Sequence, residues 1–246
     1  MKSATVLVCA HNEEDYIGDC LESILRQKPA AGLIIVVADR CTDRTVDLAK
    51  QQLSRSRSLI LQKDHLKWRN SISENLQLGF SNASGDALVI VDADMTIPPD
   101  FLMITVPQTD RFAVVSAIVR TDSSRSILNR LVSFWELSYS FSPIGEQPRG
   151  GARTISMRAL RAVGGFRDVY AWETDLDIRL RRAGFKVRLD KGVIALHRRR
   201  MTLARSIAYQ KQAGRARREL GISPVRTLLH SIIRMRPFVL IGYLTR

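Results

Sequence analysis

The chain has 246 residues, 45% of them apolar and 25% charged, so it can bury a sizeable core and is not a disordered polar polymer. Its formal net charge is +14, and residues 198–246 hold twelve of its 38 basic residues beside a single acid, Glu219. We expect no signal peptide and no certain transmembrane helix, because the first apolar run is short and charges interrupt every window of about 20 residues.

Strand and helix patterns alternate through the first half of the chain. Apolar runs predict strands, and the second and fourth are continuously apolar, as expected for strands covered on both faces. The strands are predicted at Ala4–Ala10, 32–38, 58–62 and Ala87–Val91, and the helices between them at 13–27, 43–53 and 71–83. This βαβαβαβ order predicts a Rossmann-like, mostly parallel central sheet flanked by helices, with ligands bound outside the carboxyl ends of the strands.

The second half of the chain is less regular. Its patterns predict a strand at 112–119, a helix at 126–139, a mobile Gly- and Pro-rich loop at 143–151 and a short helix at 158–163. They continue with a helix at 173–183, short strands at 186–190 and 193–197, and a basic helix at 204–220. We expect a catalytic domain at 1–200, with halves of about 1–95 and 96–200, and a C-terminal basic helical appendage at 201–246.

Two carboxylates one residue apart, Asp92 and Asp94, follow the fourth predicted strand. On a turn that leaves a buried strand, both can approach one hard cation, and Mg²⁺ or Mn²⁺ prefers such oxygen ligands together with substrate phosphates. Two acids in a loop are more often simply solvated, but the position at a strand end favours a site. We therefore expect a divalent cation here, which would neutralise a diphosphate leaving group.

Four segments resemble, in the right order, the family 2 inverting glycosyltransferases with the GT-A fold. They are VLVCAHNEEDYIGDCLESILRQ, IIVVADRCTDRTVDLA, SNASGDALVIVDADMTIPPDFL, and AVGGF followed by ETDLDIRLRRAGFKV. The resemblance covers nearly the whole chain. It implies an α/β fold of the GT-A type and transfer of a sugar from a nucleotide-diphosphate donor, UDP- or GDP-linked, to an acceptor.

The resemblance and the strand-end rule together assign the donor side of the site. The nucleotide-sugar-binding residues that we expect are Cys9, Ala10, His11, Asn12, Asp39, Arg69, Asp92 and Ala93. The expected metal ligands are Asp92, Asp94 and His197. Ala38 stands where the family usually has an acid before Asp39, which leaves the nucleotide undetermined, and a helix N-cap is the alternative role for Asp39.

An inverting transfer needs a general base that takes the proton of the attacking hydroxyl. The resemblance places that catalytic base at Glu173, with Asp175 as the alternative, because Trp172 occupies the paired acid's position. On a helix the two side chains point roughly half a turn apart, so only one should face the sugar. Either acid could instead be a helix-start charge favoured by the helix dipole. Gly150 and Gly151 match the family's acceptor loop.

The basic tail interleaves arginine with apolar residues, which suits a membrane headgroup region. We expect it to make peripheral contact with the cytoplasmic membrane face, and the acceptor to be a glycan or a polyprenyl phosphate. The alternative is an amphipathic helix packed on the domain or on a second copy. Cys9, Cys20 and Cys41 match no zinc or redox spacing, which favours a reducing compartment.

Three other functions stay open at this point. A sugar nucleotidyltransferase would favour a Gly-rich basic loop after the first strand, whereas residues 9–15 (CAHNEED) are acidic and lack glycine. A phosphate- or nucleic-acid-binding module would use the tail, but aromatic residues are sparse among its arginines, so nucleic acid is not an expected partner. A non-catalytic relative is suggested by Ala38 and Trp172. The sequence favours a metal-dependent glycosyltransferase.

Overall fold

The structure, a computed structural model, describes residues 2–137 and 150–245. Its described strands form one mixed sheet of eight strands in the order β3-β2-β1-β4-β7-β6-β8-β5. The strands are β1 (Ala4–Ala10), β2 (Leu33–Asp39), β3 (Ser58–Lys63), β4 (Ala87–Val91), β5 (Met95–Thr96), β6 (Val114–Thr121), β7 (Ala152–Ser156) and β8 (Val187–His197). Two buried apolar clusters, one on each face, hold the helices against this sheet.

The first half of the fold confirms the predicted parallel arrangement. β3, β2, β1 and β4 are parallel neighbours, and Cys9 of β1 lies opposite Val37 of β2. The crossovers contain α1 (Ile17–Leu25), α2 (Thr45–Leu53) and α3 (Ser71–Ser81). The side chain of Asn70 caps α3 by accepting hydrogen bonds from the backbone of Ile72 and Ser73. Parallel pairing places the carboxyl ends of these strands along one edge.

The second half of the sheet differs from the prediction in two ways. β7 was not predicted, and it lies antiparallel to both β4 and β6. Its sequence, ARTIS, has a charged residue at its second position and therefore lacks the continuous apolar run of a buried strand. The two short strands expected at 186–190 and 193–197 are a single strand, β8, whose register against β6 shifts between Ala117 and Ile118. A β-bulge of this kind interrupts the apolar alternation that the prediction used.

The remaining helices surround the second half of the sheet and form the tail. They are α4 (Phe101–Thr105), α5 (Ile127–Leu137), α6 (Met157–Ala162), α7 (Trp172–Arg182), α8 (Leu203–Glu219), α9 (Pro224–Ile233) and α10 (Pro237–Leu244). Of the predicted mobile loop 143–151, only Gly150 and Gly151 lie within the described residues, and residues 138–139 of the predicted helix lie outside them.

The tail is helical, as predicted, and α8 packs closely on α10. A Cβ atom on Gly214 would lie 2.1 Å from the Val239 carbonyl oxygen, and one on Gly242 would lie 2.1 Å from the Lys211 carbonyl oxygen. Only glycine allows two helix backbones to approach this closely. Within residues 2–137 and 150–245, none of the helices has the length and apolar character needed to cross a bilayer.

Candidate functional site

The loops that follow β1, β2 and β4 meet at the carboxyl edge of the sheet. Cys9, near the end of β1, lies within electrostatic range of Asp92, Lys63 and Asp39. Burial and the two carboxylates raise the pKa of the Cys9 thiol far above its ordinary value, so the thiol stays neutral. Cys9 therefore lies between the two acids Asp39 and Asp92 at this edge of the sheet.

Asp39 ends β2 and is almost completely buried. Its carboxylate accepts hydrogen bonds from Arg40 Nε (2.9 Å) and Asn75 Nδ2 (3.2 Å), and Lys63 Nζ lies 3.4 Å away. Although burial opposes ionisation, these donors lower the pKa of Asp39 below its ordinary value. Lys63 Nζ also contacts Glu74, at 3.2 Å, so a chain of charges runs from β2 to α3.

The loop after β1 is tied to the loop after β2. His11 Nδ1 lies 2.6 Å from the backbone carbonyl oxygen of Asp39, and Asn12 Oδ1 accepts a 2.8 Å hydrogen bond from the Thr42 backbone N–H. Asn12 has a φ of 54°, in the left-handed region that asparagine tolerates better than most residues. Asp43 braces the same loop by accepting from the Thr45 backbone N–H over 3.0 Å. His11 and Asn12 are thus exposed on a loop of defined shape.

Asp94 is the most strongly paired acid of the site. Its Oδ2 oxygen accepts from His197 Nε2 at 3.0 Å and from Arg199 Nε at 2.5 Å. Although burial opposes ionisation, these two partners lower the pKa of Asp94 to about 2. In return, the hydrogen bond and charge of Asp94 raise the pKa of His197, which burial alone would lower. Asp94 is therefore ionised at any physiological pH.

Arg199 joins Asp94 to the start of the chain. Its guanidinium also forms a short ion pair with Glu13, and it lies over the Tyr16 ring, 5.1 Å from the ring centre. Burial raises the pKa of Glu13, and Arg199 opposes that rise. The second oxygen of Glu13, Oε2, is buried without a hydrogen-bond partner in the described structure. Sequence reasoning missed Glu13 as part of the site, and it did not link Arg199 to Asp94.

Asp92 differs from Asp94 because its side chain is exposed at the edge of the sheet. Its backbone N–H donates to the Gly151 carbonyl oxygen over 2.9 Å, which fixes its position beside β7. The surrounding protein and the charge of Asp94 raise the pKa of Asp92 to about 7. The charge of His197 lowers the pKa of this carboxylate, and the charge of Glu173 raises it. Ala93, between the two acids, is buried in the core.

Of the three expected metal ligands, Asp94 and His197 are in direct contact. Among the described residues, no group of three acidic, histidine or cysteine side chains is arranged to hold a metal ion, so the expected set Asp92, Asp94 and His197 stays a prediction. The Arg199 guanidinium already holds Asp94 Oδ2. However, Asp94 Oδ2 and His197 Nε2 are 3.0 Å apart. Neighbouring ligands of an octahedral ion with bonds near 2.1 Å are also about 3 Å apart, so this pair fits one divalent cation.

Glu173 lies in the first turn of α7, within electrostatic range of Asp92, which follows β4. Its charge acts on Asp92, as described above, and partial burial raises the pKa of Glu173. Trp172, which precedes it, is buried and packs edge-on against Phe166, with ring centres 5.7 Å apart. A Cβ atom on Gly150 would lie 2.6 Å from Trp172 Cζ2, so the small residue at 150 accommodates the indole ring. A carboxylate with a raised pKa beside Asp92 can accept a proton near neutral pH.

Asp175 is committed to a structural ion pair. Its carboxylate accepts from Arg179 Nε over 2.7 Å, one helical turn further along α7. Arg179 is buried and donates through Nη1 to the Val163 carbonyl oxygen over 2.8 Å. The two acids that the sequence left as alternatives therefore differ in their partners, because Asp175 is paired with Arg179 whereas the charge of Glu173 acts on Asp92.

A buried arginine that sequence reasoning did not identify lies behind Glu173. Arg153, the second residue of β7, is fully buried, and its Nη2 donates to both oxygens of Asp177 at 2.9 Å. It also donates to Ser116 Oγ over 2.8 Å and, more weakly, to the Glu173 carbonyl oxygen over 3.4 Å. Its guanidinium lies 5.8 Å from the Trp172 ring centre. Arg153 therefore connects β7 to the turn that carries Glu173.

Arg69, expected near the nucleotide, is paired at the surface. Its Nε lies 3.4 Å from Asp168 Oδ2, and its Nη2 lies 3.3 Å from Glu219 Oε1. The other oxygen of Glu219 accepts from the Tyr170 backbone N–H over 2.9 Å. These bonds fasten the end of α8 to the loops that precede α3 and α7. The structure therefore places Arg69 where the tail meets the rest of the fold.

Curated proteins with similar sequences are glycosyltransferases. The probable glycosyltransferase YdaM of Bacillus subtilis (strain 168) is 24% identical over 205 residues, which are 76% of this chain and 49% of that protein. The glycosyltransferase GlyA of Streptococcus pneumoniae serotype 4 is 29% identical over 99 residues, which are 40% of this chain and 14% of that protein. The chain thus spans about half or less of the length of these relatives.

Solved structures share the fold across almost the whole chain. The mannosyltransferase PcManGT from Pyrobaculum calidifontis, in complex with GDP-Man and Mn²⁺, has a TM-score of 0.69 at 19% identity and covers 98% of this chain and 69% of its own. The glucosyl-3-phosphoglycerate synthase from Mycobacterium tuberculosis, in complex with Mn²⁺, UDP and phosphoglyceric acid, has a TM-score of 0.65 at 20% identity. The aligned part covers 90% of this chain and 80% of the synthase chain. These likenesses confirm the GT-A fold.

The family itself is shown by the sequence profile. The profile of Glycosyl transferase family 2 matches residues 5–174, which is well over half of the chain. The match begins in β1 and ends in the first turn of α7, so it contains Asp39, Asp92, Asp94 and Glu173. It agrees with the resemblance found in the four sequence segments and with the fold. The chain therefore belongs to glycosyl transferase family 2.

Proposed function

We propose that the protein is a metal-dependent inverting glycosyltransferase that uses a nucleotide-sugar donor. The observation that carries the proposal is the convergence of four groups at one edge of the sheet, because the charges of Asp94, His197 and Glu173 all act on the exposed Asp92 carboxylate. Two of these groups fit a cation, and one is a carboxylate that can accept a proton. Family membership and the fold agree with this chemistry.

The donor would lie across the carboxyl ends of β1, β2 and β4. We place its base beside Cys9, His11 and Asp39, and its sugar-phosphate beside Asp92. Two structural neighbours support this placement at the level of chemistry, since one holds GDP-Man and the other UDP. The side-chain carboxylate of Asp39 already has Arg40, Lys63 and Asn75 as partners, so a base would compete with them or bind beside them.

Asp94 and His197 would hold a Mg²⁺ or Mn²⁺ ion, with diphosphate oxygens and water as the other ligands. The ion would neutralise the diphosphate as the glycosidic bond breaks. Both structural neighbours contain Mn²⁺. Binding requires His197 to release the proton that Asp94 now stabilises, and Arg199 to give up its bond to Asp94. Once released, the Arg199 guanidinium is placed to bind the same diphosphate through charge-assisted hydrogen bonds.

Glu173 is the base that the geometry favours. The acceptor hydroxyl would attack the anomeric carbon from the side opposite the diphosphate, and Glu173 would take its proton as the new bond forms. Attack from that side inverts the anomeric configuration. Asp175 is less suited, because its carboxylate is held by Arg179. Gly150 and Gly151 lie beside Trp172 and Asp92 respectively, where backbone could approach an acceptor closely.

We also propose that the acceptor is a glycan or a polyprenyl phosphate, and that the basic tail makes peripheral contact with the cytoplasmic face of a membrane. The tail's charge supports this, since residues 198–246 contain one acid against twelve basic residues. The three cysteines, all unpaired, agree with a reducing compartment.

A thermal-shift screen of UDP-, GDP- and dTDP-sugars, each with and without Mn²⁺, tests the proposed function. A ligand that binds the native state raises its melting temperature, so one nucleotide class should give a shift that grows with Mn²⁺. The selected donor is then incubated with a polyprenyl phosphate, and NMR reads the anomeric configuration of the product. Absence of any donor-dependent shift would remove the proposal, and retention of configuration would remove the inverting mechanism.

A further inference from the structure

α5 buries polar side chains and exposes apolar ones, which is the reverse of a helix on an aqueous surface. Asn129 and Glu136, on its inner side, are buried, and Glu136 accepts from the Thr121 backbone N–H over 2.8 Å. The opposite side carries a row of large apolar residues, of which Ile127 and Phe134 are 78% and 77% exposed. The row consists of Ile127, Leu131, Phe134 and Leu137. Helices that face water bury the apolar row and expose the polar one.

α9 shows the same inversion. Its inner side carries Thr227 and Ser231, both buried, and the next turn continues with the buried Arg234. Its outer side consists of exposed apolar residues, namely Val225, Leu228, Leu229, Ile232 and Ile233. Each of these rows exceeds the scattered single apolar residues that are normal on a protein surface. Two helices of one chain therefore present apolar rows to their surroundings.

The exposed charged side chains on α5 and α9 are basic, whereas the acid Glu136 of α5 is buried. Residues 123–135 contain Arg125 and Arg130 and no acid, and residues 220–245 contain Arg226, Arg234 and Arg236 and no acid. Arg130 and Arg226 are exposed beside the apolar rows of their helices. An apolar row flanked by cationic side chains matches an anionic lipid surface, where the row enters the acyl boundary and the guanidinium groups meet the phosphates.

α5 is also connected directly to the donor site. Asn129 Nδ2 donates to the Arg199 carbonyl oxygen over 3.2 Å, and Asn129 Oδ1 accepts from the Met201 backbone N–H over 2.8 Å. Arg199 in turn holds Asp94. The helix that exposes the apolar row is thus bonded to the backbone segment that carries the Asp94 partner.

We propose that the outer rows of α5 and α9 are lipid-contacting surfaces that bind an anionic bilayer, with α5 bringing that bilayer next to the donor site. The inference deepens the proposed function, on which its link to a lipid-borne acceptor rests. It adds α5, which lies outside the basic tail, and it identifies the lipid as anionic.

Flotation of the full chain with vesicles tests the proposal. Vesicles of phosphatidylcholine alone are compared with vesicles that also contain phosphatidylglycerol, at low and at high salt. The wild type should float with the anionic vesicles, and less so at high salt, because screening weakens the contribution of the arginines. The double variants Leu131→Gln/Phe134→Gln and Leu229→Gln/Ile232→Gln should each weaken partitioning by about tenfold or more, as expected for losing the burial of large apolar side chains.

Met103→Gln is the matched control, because Met103 of α4 is 55% exposed but belongs to neither row. It should float like the wild type, and far-UV circular dichroism should show that all variants are folded. Flotation of both double variants at the wild-type level would overturn the proposal. So would a wild type that ignores anionic vesicles, or double variants that only dissociate a dimer in size-exclusion chromatography, since the rows would then bind a second copy.

The donor thermal shift, measured on the same variants without lipid, separates this inference from the proposed function. A variant that loses flotation and keeps the donor shift supports lipid contact by the apolar rows. A chain that floats but shows no donor shift would retain the lipid surface and lose the glycosyltransferase assignment. A chain that shows the donor shift without flotation would lose only the lipid surface.

Discussion

Arg199 donates through Nε to Asp94 Oδ2 over 2.5 Å and also pairs with Glu13, so one guanidinium joins two acids that are 81 positions apart in the chain. Both carboxylates raise the pKa of Arg199, which partial burial would lower, so the group remains charged. A divalent cation at Asp94 must therefore compete with a resident positive charge. Cation and donor are expected to bind together, because the donor diphosphate gives Arg199 a new partner.

Asp94→Ala should remove the metal dependence of donor binding. In the wild type, Mn²⁺ should increase the thermal shift that the donor causes, because the cation links Asp94 to the diphosphate. In the variant, the shift with Mn²⁺ should equal the shift without it. Asp110→Ala is the control, since Asp110 pairs with Lys2 at an exposed position and should keep the increment. A full increment in Asp94→Ala would place the cation elsewhere.

Glu173→Gln should stop transfer and leave donor binding intact. The amide keeps the size of the side chain but cannot accept the acceptor's proton, and loss of a general base costs about 100- to 10,000-fold in rate. Asp175→Asn is the comparison variant, and it should keep the catalytic rate within a few-fold while lowering the melting temperature, because buried Arg179 loses its ionic partner. Turnover and melting temperature are measured for both. The reverse pattern would transfer the base to Asp175.

The sequence predicted the elements and site residues that carry local signals. The first four strands have apolar runs, and the rule that ligands bind at strand ends then places Asp39, Asp92 and Asp94 at one edge of the sheet. β7 has no such signal, because Arg153 interrupts its apolar pattern. The shortest hydrogen bonds of its guanidinium are to Ser116 and Asp177, which lie 37 positions before it and 24 after it.

Pairings between distant segments explain the other differences. No local pattern links Arg199 to Glu13, although that bond determines how available Asp94 is to a cation. Similarly, the sequence of α5 shows an amphipathic helix but not which side faces the protein. The side that faces the protein is set by the bonds of Asn129 to Arg199 and of Glu136 to Thr121.

Gly151→Ala should disturb the donor site. A Cβ atom at 151 would lie 2.5 Å from Met95 Sδ and 2.8 Å from Asp92 Oδ2, so one of these side chains must move. A displacement of about 1 Å at a reacting group can cost on the order of 100-fold in rate. Gly18→Ala is the control, because nothing lies within 4 Å of its added carbon, and alanine in a helix adds about 0.5–1 kcal/mol of stability. Equal turnover in both variants would contradict the placement of Asp92.

His230→Gln should make the tail less sensitive to acid. Burial and the charges of Arg217, Arg236 and Arg234 lower the pKa of His230 to about 4, below the value of about 6.5 expected in the unfolded chain. Between those two pKa values the unfolded state binds more protons than the native state. The contribution of His230 to the free energy of unfolding therefore falls as the pH drops from 6.5 towards 4. Urea midpoints at pH 7.5 and pH 5 should therefore differ less in the variant. The exposed His65→Gln should change nothing.

Arg153→Met should affect both stability and the pH dependence of catalysis. Removing the guanidinium leaves the buried Asp177 carboxylate without this partner, a loss of about 3–5 kcal/mol for broken buried pairs. Arg153 also acts electrostatically to lower the pKa of Glu173, so its loss should raise that pKa further. Glu173 must be ionised to act as a base, and the acid limb of the turnover profile should therefore move to higher pH.

The double variant Arg153→Met/Asp177→Leu distinguishes the two effects of Arg153. Replacing both members of a buried ion pair with apolar residues of similar size often restores stability, so the urea midpoint should recover most of the loss. The shift of the acid limb should be smaller in the double variant, because the Asp177 charge, which raises the pKa of Glu173, is also gone. If stability recovers while the acid limb never moves in either variant, Arg153 supports the fold of α7 without tuning the base.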